Sequence, residues 1–178
     1  MKPNNTKKLV YSALFLALAL VLPFLTGQIQ TFGQMLAPMH LPVLLCGFVC
    51  GPVWGLAVGA VAPLLRSLLF SMPPMFPTAV AMAFELAAYG LAAGVLRRFV
   101  RTGKRPLDLY IQLVSAMLIG RLVYGVMNAL IFSAGNYSFA VFVSGAFVTA
   151  LPGIVIQLVL LPAVVLLLEK ARLVEKPY

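Results

Sequence analysis

Acid is scarce in this chain. Four carboxylates and one histidine among 178 residues leave no set of His, Asp and Glu at metal-ligand spacing and no catalytic dyad. Neither H-E-x-x-H nor G-x-x-x-x-G-K-[ST] occurs, so no metal-hydrolase signature is present and ATP is not handled by this chain. Cysteine is nearly missing as well. Cys46 and Cys50 stand four apart in one apolar segment, where a thiol behaves as a small buried hydrophobe, and they indicate neither a disulfide framework nor a metal site. Charge of any sign is low: 10% of residues are charged and 62% hydrophobic, too apolar for the surface of a soluble globule of this size. These shortages exclude a soluble domain and argue against an enzyme or a resident metal or cofactor. What remains is an integral membrane protein whose solvent is the lipid bilayer.

A helix needs about 20 largely apolar residues to cross the hydrocarbon core, which gives this chain room for roughly six spans and no second domain, so residues 1–178 are read as one transmembrane domain. The first apolar run begins within ten residues of Met1, lacks an A-x-A-like cleavage site and is followed by others, so it reads as a span and not as a removable signal peptide. The spans run from Leu9 to Thr26, His40 to Val53, about Gly55 to Met72, Thr78 to Val95, roughly Asp108 to Ser133 and roughly Ser144 to Leu168. The second is short and crowded by Pro38, Pro42 and Pro52; GPVWG, Gly51 to Gly55, reads as a turn after it, with Trp54 as an interface anchor. Long apolar runs without strand alternation exclude a barrel, and the expected fold is all-α with six transmembrane helices.

The basic residues set the expected orientation. Lys2, Lys7 and Lys8 precede span one; Arg97, Arg98, Arg101, Lys104 and Arg105 separate spans four and five; Lys170, Arg172 and Lys176 follow span six. With six spans all three groups fall on one side, which the positive-inside rule makes cytoplasmic, together with both termini. The opposite loops, Gly27 to Pro38, Ser71 to Pro77 and Ala134 to Val143, hold no charged residue. The net charge of +9 is then mostly topology, with anionic lipid as the ordinary partner and no nucleic acid implied.

Subtracting those groups, and Asp108, Glu169 and Glu175 beside them, leaves Arg66, Glu85 and Arg121 inside apolar runs. A rise of about 1.5 Å per residue puts all three at one depth, about 16 to 20 Å above the cytoplasmic edge. An isolated charge there costs about 2.5 to 3.5 kcal/mol, so these side chains should face inward, toward one another or a polar solute. Helical spacing adds Tyr124 and Asn128 to the face of Arg121, and Met82 and Tyr89 to the face of Glu85. Such faces suit a pocket that holds an organic solute through a few polar groups. The plainer reading is a buried Arg–Glu pair that fixes helix register, and it accounts for only one of the two arginines. Arg121 is the favoured solute contact because of its polar neighbours. His40 in APMHLP reads first as an interfacial residue, with solute contact as the alternative. Gln28, Gln30, Gln34 and Gln157 could reach a solute, although loop glutamines commonly just face water. Gly47, Gly51, Gly55 and Gly59, and Gly90 with Gly94, have the spacing of close helix packing within a bundle.

A small chain of six spans, with cytoplasmic ends, an A-x-x-x-A in span one at Ala13 and Ala17, and a polar-lined outer half, resembles the substrate-binding S component of an energy-coupling factor (ECF) vitamin transporter. The residues that carry the likeness are KKLVYSALFLALALVLPF at Lys7 to Phe24, APMHLPVLLCGFVCGPVWGLAVG, and FELAAYGLAAG at Phe84 to Gly94. The resemblance implies a bacterial plasma-membrane protein that captures a vitamin or precursor from outside. It also implies docking, through Ala13 and Ala17, on a separate transmembrane coupling subunit driven by two ATPase subunits, toppling of the S component to release its solute, and a lid at Gly27 to Ala37. Two arginines against one glutamate leave the interior net positive, so a carboxylate-bearing solute such as pantothenate is expected first, with riboflavin, cobalamin, folate, a pyridoxine-type or a thiamine-related compound left open by the resemblance. The rival expectation is a self-contained secondary transporter in which Glu85 carries a coupling proton, although no inverted repeat is evident in the sequence. An intramembrane enzyme has no nucleophile–base pair to point to, and a membrane assembly scaffold would bind no small molecule.

Overall fold

The computed structural model describes residues 5–26, 35–131, 142–172 and 174. Among them the chain is helical throughout. Its α-helices are α1 (Asn5–Val21), α2 (His40–Cys50), α3 (Pro52–Phe70), α4 (Val80–Phe99), α5 (Arg105–Ile131) and α6 (Leu151–Lys170). A 3₁₀ turn, Leu22–Thr26, extends α1, and widened turns at Met75–Ala79 and Ser144–Thr149 lead into α4 and α6.

Prolines and glycines account for most of the boundaries. Pro23 has no N–H to continue the α pattern, and the chain tightens into 3₁₀ around it. Gly51, at φ 99°, breaks α2 from α3, and Pro52 opens α3 at a position where its missing N–H is not needed. The expected turn over Gly51 to Gly55 is thus confined to Gly51. Trp54 lies in the first turn of α3, half-buried beside the cluster that contains Cys50, and not in a loop. Ser71 ends α3 in the left-handed region.

Among the described residues, five helical segments are long and apolar enough to cross a membrane: Asn5–Leu25, Pro52–Phe70, Met75–Phe99, Arg105–Ile131 and Leu151–Lys170. The second expected span is shorter than read from the sequence, because α2 stops at Cys50 after 11 residues. That length covers about 16 Å at the α-helical rise. Its burial explains how a short helix serves here. One side of α2, Leu44 and Phe48, packs into a cluster with Tyr89, Leu109, Leu113 and Leu161. The other, Val43, Cys46 and Cys50, packs with Phe15, Val58 and Leu86. α2 is the central post of the bundle, wrapped on both sides by longer helices that face lipid. Cys46 and Cys50 are free and buried, and the Cys46 thiol points to the Ser12 hydroxyl at 3.7 Å.

Lipid is as apolar as leucine, so contacts between these helices depend on close fit more than on hydrophobic expulsion. The glycines supply that fit where α2, α3 and α4 meet. A Cβ on Gly90 would enter the backbone of Gly55, one on Gly55 or Gly47 would meet the Gly90 carbonyl, and one on Gly59 would meet the backbone of Leu86. Gly90→Leu is accordingly expected to remove about 3 kcal/mol or more of stability, the top of the range for overpacking, because the obstacle is backbone. Gly145→Ala, where nothing lies within 4 Å, should stay within about 0.5 kcal/mol of wild type. Thermal unfolding in detergent, followed by size-exclusion recovery, checks both.

At the far end of the bundle a second polar group joins four helices. Arg97 on α4 donates to the Phe48 carbonyl of α2 and, at 3.0 Å, to Glu169 of α6; Arg105 of α5 donates to the same carboxylate, its Nε at 3.0 Å. Thr102 closes the α4–α5 connection by donating its N–H and hydroxyl to Asp108 at 2.7 and 2.6 Å. These side chains were expected as edge charges that only set topology. Instead Arg97, Asp108 and Glu169 are buried, and they fasten the ends of α2, α4 and α6 to the start of α5.

Candidate functional site

Glu85 lies on the inward face of α4 with 1% of its surface exposed. A carboxylate so placed is costly unless it is paired. It has two neighbours. Arg121 of α5 donates from Nη1 to Oε1 at 3.2 Å, and His40, the first residue of α2, brings Nε2 to the same oxygen at 3.3 Å. The question of which arginine meets Glu85 is thereby answered: it is Arg121. His40 is 4% exposed, so its expected interfacial placement is corrected. The turn at 37–39 causes the difference: Ala37 adopts φ 45° and its carbonyl accepts the His40 N–H at 3.0 Å, starting α2 with the imidazole already inside.

Tyr89, one turn below Glu85 on α4, completes the group. Its ring stands edge-on to His40, with centroids 5.0 Å apart and planes at 84°. Gly120 of α5 gives it room, since a Cβ there would strike the Tyr89 ring. Among the described residues, the Tyr89 hydroxyl, His40 Nδ1 and Arg121 Nε are buried without a hydrogen-bond partner. A buried polar atom left in that condition costs about 1–3 kcal/mol. The three lie on adjoining side chains of one group, Tyr89, His40 and Arg121.

The remaining expected contacts are spread more widely. Asn128, also buried, donates to the Tyr124 carbonyl at 2.8 Å, one and two turns outward from Arg121 on α5. Arg66 is buried near the end of α3 and takes no part in the Glu85 group. Its guanidinium donates to the Leu20 carbonyl and packs against the rings of Phe24 and Phe70, 4.9 and 5.4 Å from their centroids, the two rings themselves meeting edge to face at 4.9 Å. Pro23 explains the bond to Leu20. In the i→i+3 pattern of Leu22–Thr26 the partner of that carbonyl would be the N–H that Pro23 lacks. Arg66 supplies the missing donor, and the two aromatic faces lower the cost of its charge. Gln34 and most of the expected lid, and nearly all of the loop at 134–143, lie outside the described residues.

Ala13 and Ala17 are exposed on the outer face of α1, whereas Ser12, Phe15 and Ala19 turn into the bundle. Gln157, one of several glutamines the sequence offers for solute contact, is fully enclosed on α6, with both amide atoms lacking a partner among the described residues. Its signal in the sequence was present: it is the one strongly polar side chain in the run from Leu151 to Leu168. No group of three or more His, Cys, Asp or Glu side chains placed to hold a metal ion occurs among the described residues.

An Arg–Glu pair with a histidine at its side, in an apolar bundle and with unmatched donors around it, can hold and orient a polar solute. Among the described residues, the side-chain partners of Glu85 are Arg121 and His40. Comparison with known proteins points the same way. Residues 7–165 match the family model described as ECF transporter, substrate-specific component. No curated protein matches, and no solved structure does.

Proposed function

Because the chain belongs to the ECF transporter substrate-specific component family, a family of multi-pass membrane proteins that bind substrate for a transporter, we propose that it captures a water-soluble vitamin or vitamin precursor from outside a bacterial cell and delivers it through a separate coupling subunit with two ATPase subunits. The observation that carries this reading is the Glu85 group: one buried carboxylate shared by Arg121 and His40 beside unmatched polar atoms on Tyr89, Arg121 and His40.

The solute proposed first is a small acid of the pantothenate type. Glu85 offsets one arginine, and Arg66 forms no ion pair among the described residues, so the interior carries a net positive charge that an anion would balance. Arg121 is the proposed contact for the acidic group, with Tyr89 and His40 beside it. Tyr124, Asn128 and Gln34 are proposed for the outer rim, and Arg66 for the outer wall, where it holds the end of α1.

Six spans with cytoplasmic termini are proposed as the topology, α2 being a short, protein-wrapped second span. The junction of Arg97, Arg105, Glu169 and the Phe48 carbonyl supports it, because it gathers the ends of α2, α4 and α6 and the start of α5 on one side, as alternating passes require. The exposed alanine face of α1 is the proposed docking surface for the coupling subunit.

Purified protein should carry a small molecule identifiable by mass spectrometry, and a thermal-shift panel of vitamins should contain one that raises Tm. A preparation with no bound solute and no stabilising vitamin would remove this reading.

A further inference from the structure

Gln157 is 0% exposed, and neither its carbonyl oxygen nor its amide nitrogen has a hydrogen-bond partner among the described residues. Gln112 of α5 is equally enclosed, but its amide donates to the Val100 carbonyl at 2.9 Å and helps fix the α4–α5 connection. Gln157 has no such structural use. An apolar side chain of the same length would fill the space without the penalty of an unmatched amide, so the fold by itself gives no reason for glutamine at this position.

Two buried stripes locate it. α6 turns Gly153, Gln157, Leu161, Val165 and Glu169 inward, and α2 turns His40, Leu44 and Phe48 inward, each at a spacing of four. The stripes run side by side. A Cβ on Gly153 would meet the backbone of Met35 and Leu36; Leu161 and Val165 share a cluster with Leu44 and Phe48; Glu169 bonds Arg97, which also bonds the Phe48 carbonyl. One turn in from Gly153 and one turn out from Leu161, Gln157 falls at the level of His40, the α2 member of the Glu85 group.

Resting on the solute-capturing reading above, we propose that Gln157 is a specificity-determining contact that reads a neutral edge of the solute where a hydrogen-bond donor stands beside an acceptor, as in an α-hydroxyamide, a lactam or a ureide. A carboxamide offers one acceptor and two donors in a plane, so such an edge satisfies it through two parallel bonds, while a carboxylate alone matches only its nitrogen. With Arg121 taking the acidic group, the two residues read opposite ends of one molecule. A site built in this way rejects analogues lacking the edge, because its own amide is then left unmatched.

The test uses the full-length protein in detergent with four probes: pantothenate, riboflavin and biotin, which present such an edge, and nicotinate, an acid without one. At least one of the first three should raise the wild-type Tm, and nicotinate should not. Gln157→Met should bind that probe about tenfold more weakly or worse, the loss of a hydrogen-bonded pair, while its Tm without solute equals or exceeds that of wild type. A lower Tm without solute and unchanged affinity would make Gln157 a structural or water-bridged residue and overturn the proposal. So would a co-purified solute, identified by mass spectrometry, that lacks any donor–acceptor edge. Wild-type protein that binds no solute at all overturns the capture reading beneath it instead. If Gln157→Met is not recovered folded, the isosteric Gln157→Glu takes its place, and unchanged affinity there has the same overturning force.

Discussion

Arg121→Ala is expected to weaken solute binding by about tenfold or more, since a hydrogen bond to a charged group contributes about 1.5–3 kcal/mol, while the protein still inserts in the membrane. The same change leaves Glu85 with His40 alone, and breaking a buried pair costs about 3–5 kcal/mol. Stability without solute should therefore fall too. The double variant Glu85→Leu with Arg121→Leu separates the two effects. Removing both charges relieves the unpaired carboxylate and should restore much of the thermal stability. Binding should stay weakened by about tenfold or more, because Arg121 is proposed to touch the solute. If the pair serves only to set helix register, the double variant will bind as wild type does. Isothermal titration and thermal unfolding on the same three preparations distinguish the outcomes.

Ala13→Trp should leave binding intact and bring ATP-driven uptake to background. Ala13 and Ala17 lie on the face of α1 turned away from Phe15 and Ala19, so an indole there disturbs no contact within the bundle. It would hold off any partner helix that needs small residues for close approach. Uptake is measured in vesicles containing the coupling and ATPase subunits, and binding on the purified variant. Loss of both would indicate a folding defect, and uptake at the wild-type rate would place the docking surface elsewhere.

The sequence made the helices readable where apolar runs are long and end in Pro or Gly: the PPMFP stretch before α4 and Gly51–Pro52 between α2 and α3 both mark real boundaries. Helical spacing put Glu85 and Tyr89 on one face, but the shared depth read for Arg66, Glu85 and Arg121 did not tell which arginine meets Glu85, and the one expected to be left for the solute, Arg121, is the one that pairs with it. Three things were not legible. The depth of His40 depends on the backbone of 37–39, where a left-handed Ala37 is not a residue that composition flags. The place of Arg66 follows from a carbonyl that Pro23 strands on another helix, a tertiary relation that no local pattern reports. The burial of Arg97, Asp108 and Glu169 was hidden because counting charges for orientation treats each as a solvated point charge, whereas Arg97 and Glu169, with Arg105 and the Phe48 carbonyl, join four helices and Asp108 ties down Thr102.

The proposed division of labour between this chain and separate coupling and ATPase subunits is the most direct test of what it does. Accumulation of the co-purifying solute should be followed in vesicles that contain the chain alone or the chain with its coupling and ATPase subunits. Uptake is expected only in the second case and only with ATP. Accumulation by the chain alone, driven by a proton gradient, would contradict a substrate-binding component and make Glu85 the proton carrier of a self-contained transporter.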